Sequence, residues 1–142
     1  MQSSKGKTLL KLRSKGFNVP YLILVKEEYF IKNSNKVLKN ISKKFKTLIA
    51  IRSSAANEDS EKSSLAGKYL SFLNLDPKDK SLVKESINKI ITSYDNSKKN
   101  EIIIQDMIRG NKISGVCTTV DLHNYLPIIN INYDESNRAD TV

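Results

Sequence analysis

Apolar positions change period along the chain, and the changes divide it into elements. Leu9, Leu10 and Leu12 lie between Ser3-Ser4 and Gly16, which predicts a helix over residues 5–15, capped by Ser3 or Ser4 and stopped by Gly16. Asn18-Val19-Pro20 turns into Tyr21-Leu22-Ile23-Leu24-Val25, a continuous apolar run that reads as a buried strand. From 26 to 46 the period is helical, with Val37, Leu38, Ile41 and Phe45 on one face and five lysines on the other. Asn33-Ser34-Asn35 is expected to break this region into two helices. Leu48-Ile49-Ala50-Ile51 is a second buried strand, and it delivers Arg52, Ser53, Ser54 and Ala55 to its C-terminal end.

The polar stretch 56–64 has no period and reads as a surface loop. A strand is expected over 69–75. Asp76-Pro77 then looks like an N-cap and first helical position for an amphipathic helix carrying Leu82, Val83, Ile87, Ile90, Ile91 and Tyr94 to about Asn96. A strand over 102–108, the turn Arg109-Gly110-Asn111-Lys112 and a strand over 113–120 read as a hairpin, and Pro127–Asn132 as a further strand. The order of elements is that of an α/β or α+β fold.

At 142 residues, 39% hydrophobic and 27% charged, the chain is long enough to bury a core without staples. It has one cysteine, no stretch near the roughly 20 apolar residues of a membrane span, and no apolar segment of the signal-peptide kind at its start. These features fit a reducing, cytoplasmic location with no membrane partner. The formal net charge is +9, but the lysines are spread along the chain and no aromatic-plus-basic stripe accompanies them. Solvated faces therefore account for the charge better than a nucleic-acid surface does.

Little catalytic chemistry stands out. One Cys and one His cannot make a structural zinc site. Cys117, in mid-strand without a base, reads as an inert buried thiol, and His123 as an exposed loop residue. Gly6-Lys7-Thr8 mimics the tail of a phosphate-binding P-loop, but Met1 stands where the first glycine belongs and no strand precedes it. Two cations remain on separate elements. Lys5 opens a helix whose first N–H groups favour anions. Arg52 stands at a strand end, with a planar fork suited to phosphate and two hydroxyls beside it.

Three segments carry a resemblance that spans essentially the whole chain. Ser3-Ser4-Lys5-Gly6-Lys7-Thr8-Leu9-Leu10 and Asn18-Val19-Pro20 resemble the opening Gly-Gly-Lys-x-x-x-Leu helix and Val-Pro-Pro turn of the nucleotide-binding domain of phosphoenolpyruvate synthase and pyruvate phosphate dikinase. Ile51-Arg52-Ser53-Ser54-Ala55-Ala56-Asn57-Glu58-Asp59 with Ser64-Leu65-Ala66-Gly67 is similar to that family's Val-Arg-Ser-Ser-Ala-x-x-Glu-Asp and Ser-Phe-Ala-Gly block, the most specific of the three. Ile104-Gln105-Asp106-Met107-Ile108 with Ser114-Gly115-Val116-Cys117-Thr118-Thr119-Val120-Asp121 is similar to its Val-Gln-x-Met-Val and Ser-Gly-Val-x-Phe-Thr-x-Asp-Pro block. The chain departs from the pattern at Ser3-Ser4, at Thr118 and at Leu122. Its last segment is closer to divergent relatives such as capsule-pathway glutamine kinases.

The resemblance implies an ATP-grasp-like fold, α/β or α+β, with a mixed and antiparallel sheet, flanking helices and an incomplete C-terminal side. Residues 1–142 would be one partial domain, with 1–100 a first lobe holding the phosphate helix and a flap (Ser53 to Gly67), and 101–142 the adenine-lining strands. Lys5 and Arg52 would be the catalytic and phosphate-binding cations. Ser53, Ser54, Gln105, Met107, Ile108 and Thr119 would complete the ATP site. The Mg²⁺ ligands are expected downstream of residue 142. The partners implied are a nucleotide, a small-molecule acceptor such as pyruvate or glutamine, and a downstream phosphohistidine domain; the fragment alone is not expected to turn over ATP. A degenerate interaction domain and a basic polyanion-binding module are the alternatives.

Overall fold

The computed structural model describes residues 4–54, 70–94, 100–110, 113–121 and 125–135. The elements are α1 (Lys5–Ser14), β1 (Leu22–Lys26), α2 (Glu27–Lys44), β2 (Ile49–Ser54), β3 (Ser71–Leu75), α3 (Lys80–Thr92), β4 (Glu101–Asp106), β5 (Ser114–Thr118) and β6 (Asn130–Asp134). They form two compact units that divide after Met107.

The first unit is a four-stranded sheet in the order β1-β4-β2-β3. β4 is antiparallel to both β1 and β2, and β3 is antiparallel to β2. β1 and β2 therefore run parallel and are joined over β4 by α2, while α3 likewise joins β3 to β4 over β2. Helices are the usual way to make such crossovers, and they leave one face of the sheet covered. On that face Phe30, Val37, Leu38, Ile41, Val83, Ile87 and Ile90 pack with Ile49, Ile51, Ile102 and Ile104. The helical period read from α2 and α3 is thus the core face of each. Tyr21 and Phe45 extend it, with ring centroids 5.2 Å apart.

α1 lies against the other face. A Cβ on Gly6 would run into a Leu24 methyl and sit 3.3 Å from Ile103 Cγ1. Leu24 and Ile103 are register partners on β1 and β4. This second cover explains why Ile102, Ile103 and Ile104 are all fully buried: strands covered on both faces read as continuous apolar runs. Glycine at position 6 allows the close approach without displacing the Leu24 side chain. At its other end α1 closes with Gly16 at φ 86°, where Gly16 N–H donates to Arg13 O and Phe17 N–H to Leu12 O. This is the Schellman arrangement. Arg13 lies over the Tyr21 ring, 5.1 Å from its centroid.

Several expectations need correction. The α+β class is as expected; the point to correct is the sheet, in which every strand pairing among the described residues is antiparallel. The expected break in α2 is present: Asn33, at φ −135° and ψ 32°, is non-helical, and two helical segments meet there across a kink. Asp76-Pro77 forms a turn instead of a helix start. Asp76 Oδ1 accepts from Lys78 N–H at 2.8 Å, and Asp79 caps α3 by accepting from Leu82 N–H at 3.0 Å. The hairpin expected across Arg109–Lys112 does not form: β4 is taken on both sides by β1 and β2, and β5 pairs with β6. β4 is interior to the first sheet, and the units divide one residue beyond its end.

The second unit is the two-stranded β5-β6 sheet, in which Gly115 faces Tyr133 and Cys117 faces Ile131. Cys117 is exposed, not buried. The flap, His123 and the polar C-terminal segment from 136 onward lie outside the described residues.

Candidate functional site

β2 alternates its side chains across the sheet. Ile49 and Ile51 point into the core beneath α2 and α3. Ala50, Arg52 and Ser54 therefore face the α1 side, while Ser53 falls on the opposite face, where it is 3% exposed. The register sets Ala50 against Gln105, Arg52 against Ile103 and Ser54 against Glu101. Arg52, Ser54 and Gln105 thus share one face, next to the point where Gly6 rests on Ile103. A one-residue slip would have put Ser53 there instead.

The start of α1 is held by a network that the sequence did not suggest. Ser54 Oγ accepts from Gly6 N–H at 3.2 Å. Ser4, the N-cap, accepts from Lys7 N–H at 3.4 Å and donates its hydroxyl to Glu101 Oε2 at 2.7 Å. Tyr94 Oη donates to Glu101 O at 2.6 Å and accepts from Ser54 N–H at 3.2 Å. Glu101 is 6% exposed. Its ion pair with Lys7, at 3.8 Å to a largely exposed ammonium, adds little beyond the hydroxyl bond. Two of the first-turn N–H groups are therefore satisfied by the chain itself, and a carboxylate stands at the positive end of the helix dipole. The clue available in the sequence was a charged residue heading the apolar run Ile102–Ile104.

Lys5 is the first residue of α1 and is half-buried. Arg52 is also half-buried, and its Nε–H is fully enclosed without a hydrogen-bond partner among the described residues. Leaving such a donor unsatisfied costs about 1–3 kcal/mol, which an acceptor arriving from outside would recover.

The strand that carries Gln105 ends at Asp106, short of the expected residue 108, because Asp106 lies opposite Ile49, the first residue of β2. Met107 is held by its N–H, which donates to Leu48 O at 2.9 Å. Ile108 is 55% exposed and begins the second unit. Thr119 follows β5 in the second unit and is exposed. Among the described residues no cluster of three or more His, Cys, Asp or Glu could hold a metal ion, and no helix is long and apolar enough to cross a membrane.

A family model described as the AMP/ATP-binding domain of pyruvate phosphate dikinase matches residues 26–138, most of the chain. The chain belongs to this family. The match takes in Arg52, Ser54, Gln105, Met107, Ile108 and Thr119, and it begins at the last residue of β1, so α1 and Lys5 precede it. Comparisons with curated proteins and with solved structures found no match.

Proposed function

We propose that this dikinase-family chain binds the phosphates of ATP on the α1 face of its sheet, with Arg52 as the principal ligand. The observation that carries this reading is the enclosed Nε–H of Arg52, without a partner among the described residues, beside Ser54. A guanidinium offers phosphate two parallel donors and keeps its charge. Ser54 is committed to Gly6, so its part is to seat α1 and thereby place Lys5 near the same face. Gln105 and Met107 then line the adenine. Arg52 and Lys5 orient and neutralise the phosphates, which is most of what a protein supplies to phosphoryl transfer.

The larger reaction is read by analogy with the family. In this reading the parent enzyme uses Mg-ATP to phosphorylate a His in a downstream domain and passes the phosphoryl group to a small acceptor. The described residues offer no cluster for Mg²⁺, so no step of this chain is assigned to the metal. Isothermal titration of Mg-ATP into the chain and into Arg52→Ala tests the site. Loss of a charged hydrogen bond predicts affinity reduced by about tenfold or more. Equal affinity in both would remove Arg52 from the site.

A further inference from the structure

A second surface, away from Arg52, is built to take up an extended chain. β1 is an edge strand of the first sheet. Tyr21 O accepts from Asp106 N–H and Glu27 N–H donates to Asn100 O, which sets the hydrogen-bonding phase against β4. The odd-numbered residues of β1 therefore address β4, and Leu22, Leu24 and Lys26 direct their N–H and C=O groups outward. Edges of this kind are usually blunted by bulges, prolines or inward charges. The opposite edge, β3, carries such irregularities: its pairing with β2 shifts register, and Asn74 sits at φ 58°. β1 has a regular register and an apolar sequence, Leu22-Ile23-Leu24-Val25.

A groove of about 520 Å³ runs along this edge, with Leu10 on one side and Tyr29, Val37, Asn40 and Lys44 on the other. A neighbouring hollow of about 390 Å³ shares Tyr29, Val37 and Asn40 and is rimmed by Lys36, Lys39 and Lys43. Among the described residues the groove thus offers unpaired backbone groups at Leu24 and Lys26, apolar walls for alternate side chains, and a cationic rim, while Leu22 is 3% exposed and forms its covered end.

We infer that the β1 edge binds an extended acidic peptide segment, which adds to the sheet as a fifth strand. Backbone pairing supplies affinity in this mode, and side chains at every second position supply specificity. The lysine rim selects acidic residues. It also disfavours a second copy of this chain, which would bring like charges together across the new pair and already carries a net charge of +9. Apolar walls and outward amides suit a peptide better than a nucleic acid, whose backbone has only acceptors to offer the outward carbonyls. This inference is independent of the nucleotide site.

The test is fluorescence anisotropy of a labelled eight-residue peptide of alternating Glu and Val, titrated with the full chain. Three comparisons accompany it: the same peptide N-methylated at its central residues, the chain carrying Lys36→Glu, Lys39→Glu and Lys43→Glu together, and a labelled oligothymidylate. Saturable binding of the plain peptide is expected. It should weaken by about tenfold on N-methylation and by a similar factor in the triple variant, with amide NMR shifts centred on Leu24 and Lys26. Equal binding of the N-methylated peptide would overturn strand addition, since charge alone would then explain the affinity. Absence of peptide binding, tighter binding of the oligothymidylate, or self-association of the chain through β1 would each overturn the assignment as well.

Discussion

Ser53 and Ser54 are adjacent, both buried and both small, yet the structure gives them different work, and replacing each in turn tests the register of β2. In Ser54→Ala, Gly6 N–H loses the acceptor that lies 3.2 Å away, inside a contact too close-packed for water to enter freely. An enclosed donor left unpaired costs about 1–3 kcal/mol. The backbone N–H of Ser54 keeps its bond to Tyr94, so the loss is confined to the seat of α1. A cost near 1.4 kcal/mol corresponds to about a tenfold rise in the population of the opened helix. Hydrogen exchange followed by NMR should therefore show the Gly6 amide about tenfold less protected in Ser54→Ala. The core amides of Ile102 and Ile104 should be little changed. Ser53→Ala lies on the other face and should leave Gly6 protection as it is. Mg-ATP affinity should fall in Ser54→Ala alone, because Lys5 rides on α1. Unchanged Gly6 protection in Ser54→Ala, or equal loosening in Ser53→Ala, would refute the face assignment on which the site rests.

Other consequences can be checked with simple measurements. Asp79→Ala removes the N-cap of α3 and should cost about 1 kcal/mol in urea unfolding, whereas Asp76→Ala, which breaks only the preceding turn, should cost less. Ile103→Ala hollows the contact between α1 and the central strand, where the side chain is fully buried, and should destabilise the first unit by about 2–5 kcal/mol. Cys117 is exposed on β5 and should react with a small maleimide in the native protein at a rate close to that in denaturant.

Much of the fold was legible because local patterns and tertiary packing agree. The faces of α2 and α3 follow from helical spacing, since a residue that recurs every three or four positions can be covered by one sheet. The strands β1, β2 and β4 follow from apolar runs too short and too β-branched for helices. The Gly16 stop is local chemistry. The start of α3 was misplaced because Asp76 and Asp79 are equally good caps in isolation. Only packing chose Asp79, with Val83, Ile87 and Ile90 turned toward the core.

The candidate site divides in the same way. The sequence alone was enough to single out Arg52 as a cation at the end of a buried strand, and to tie it to a nucleotide-binding family. Alternation puts Ser54 on the face of Arg52, but the sequence could not say that this is the face α1 covers, since that depends on strand phase against a partner distant in the chain. Nor could it reveal that Glu101 and Tyr94 close the start of α1, because no spacing rule links residues 4, 54, 94 and 101. Sequence periodicity determined which surfaces must be buried. The order of strands, β4 inserted between β1 and β2, decided which residues meet, because pairing partners are set by the global burial of both sheet faces and carry no local signature.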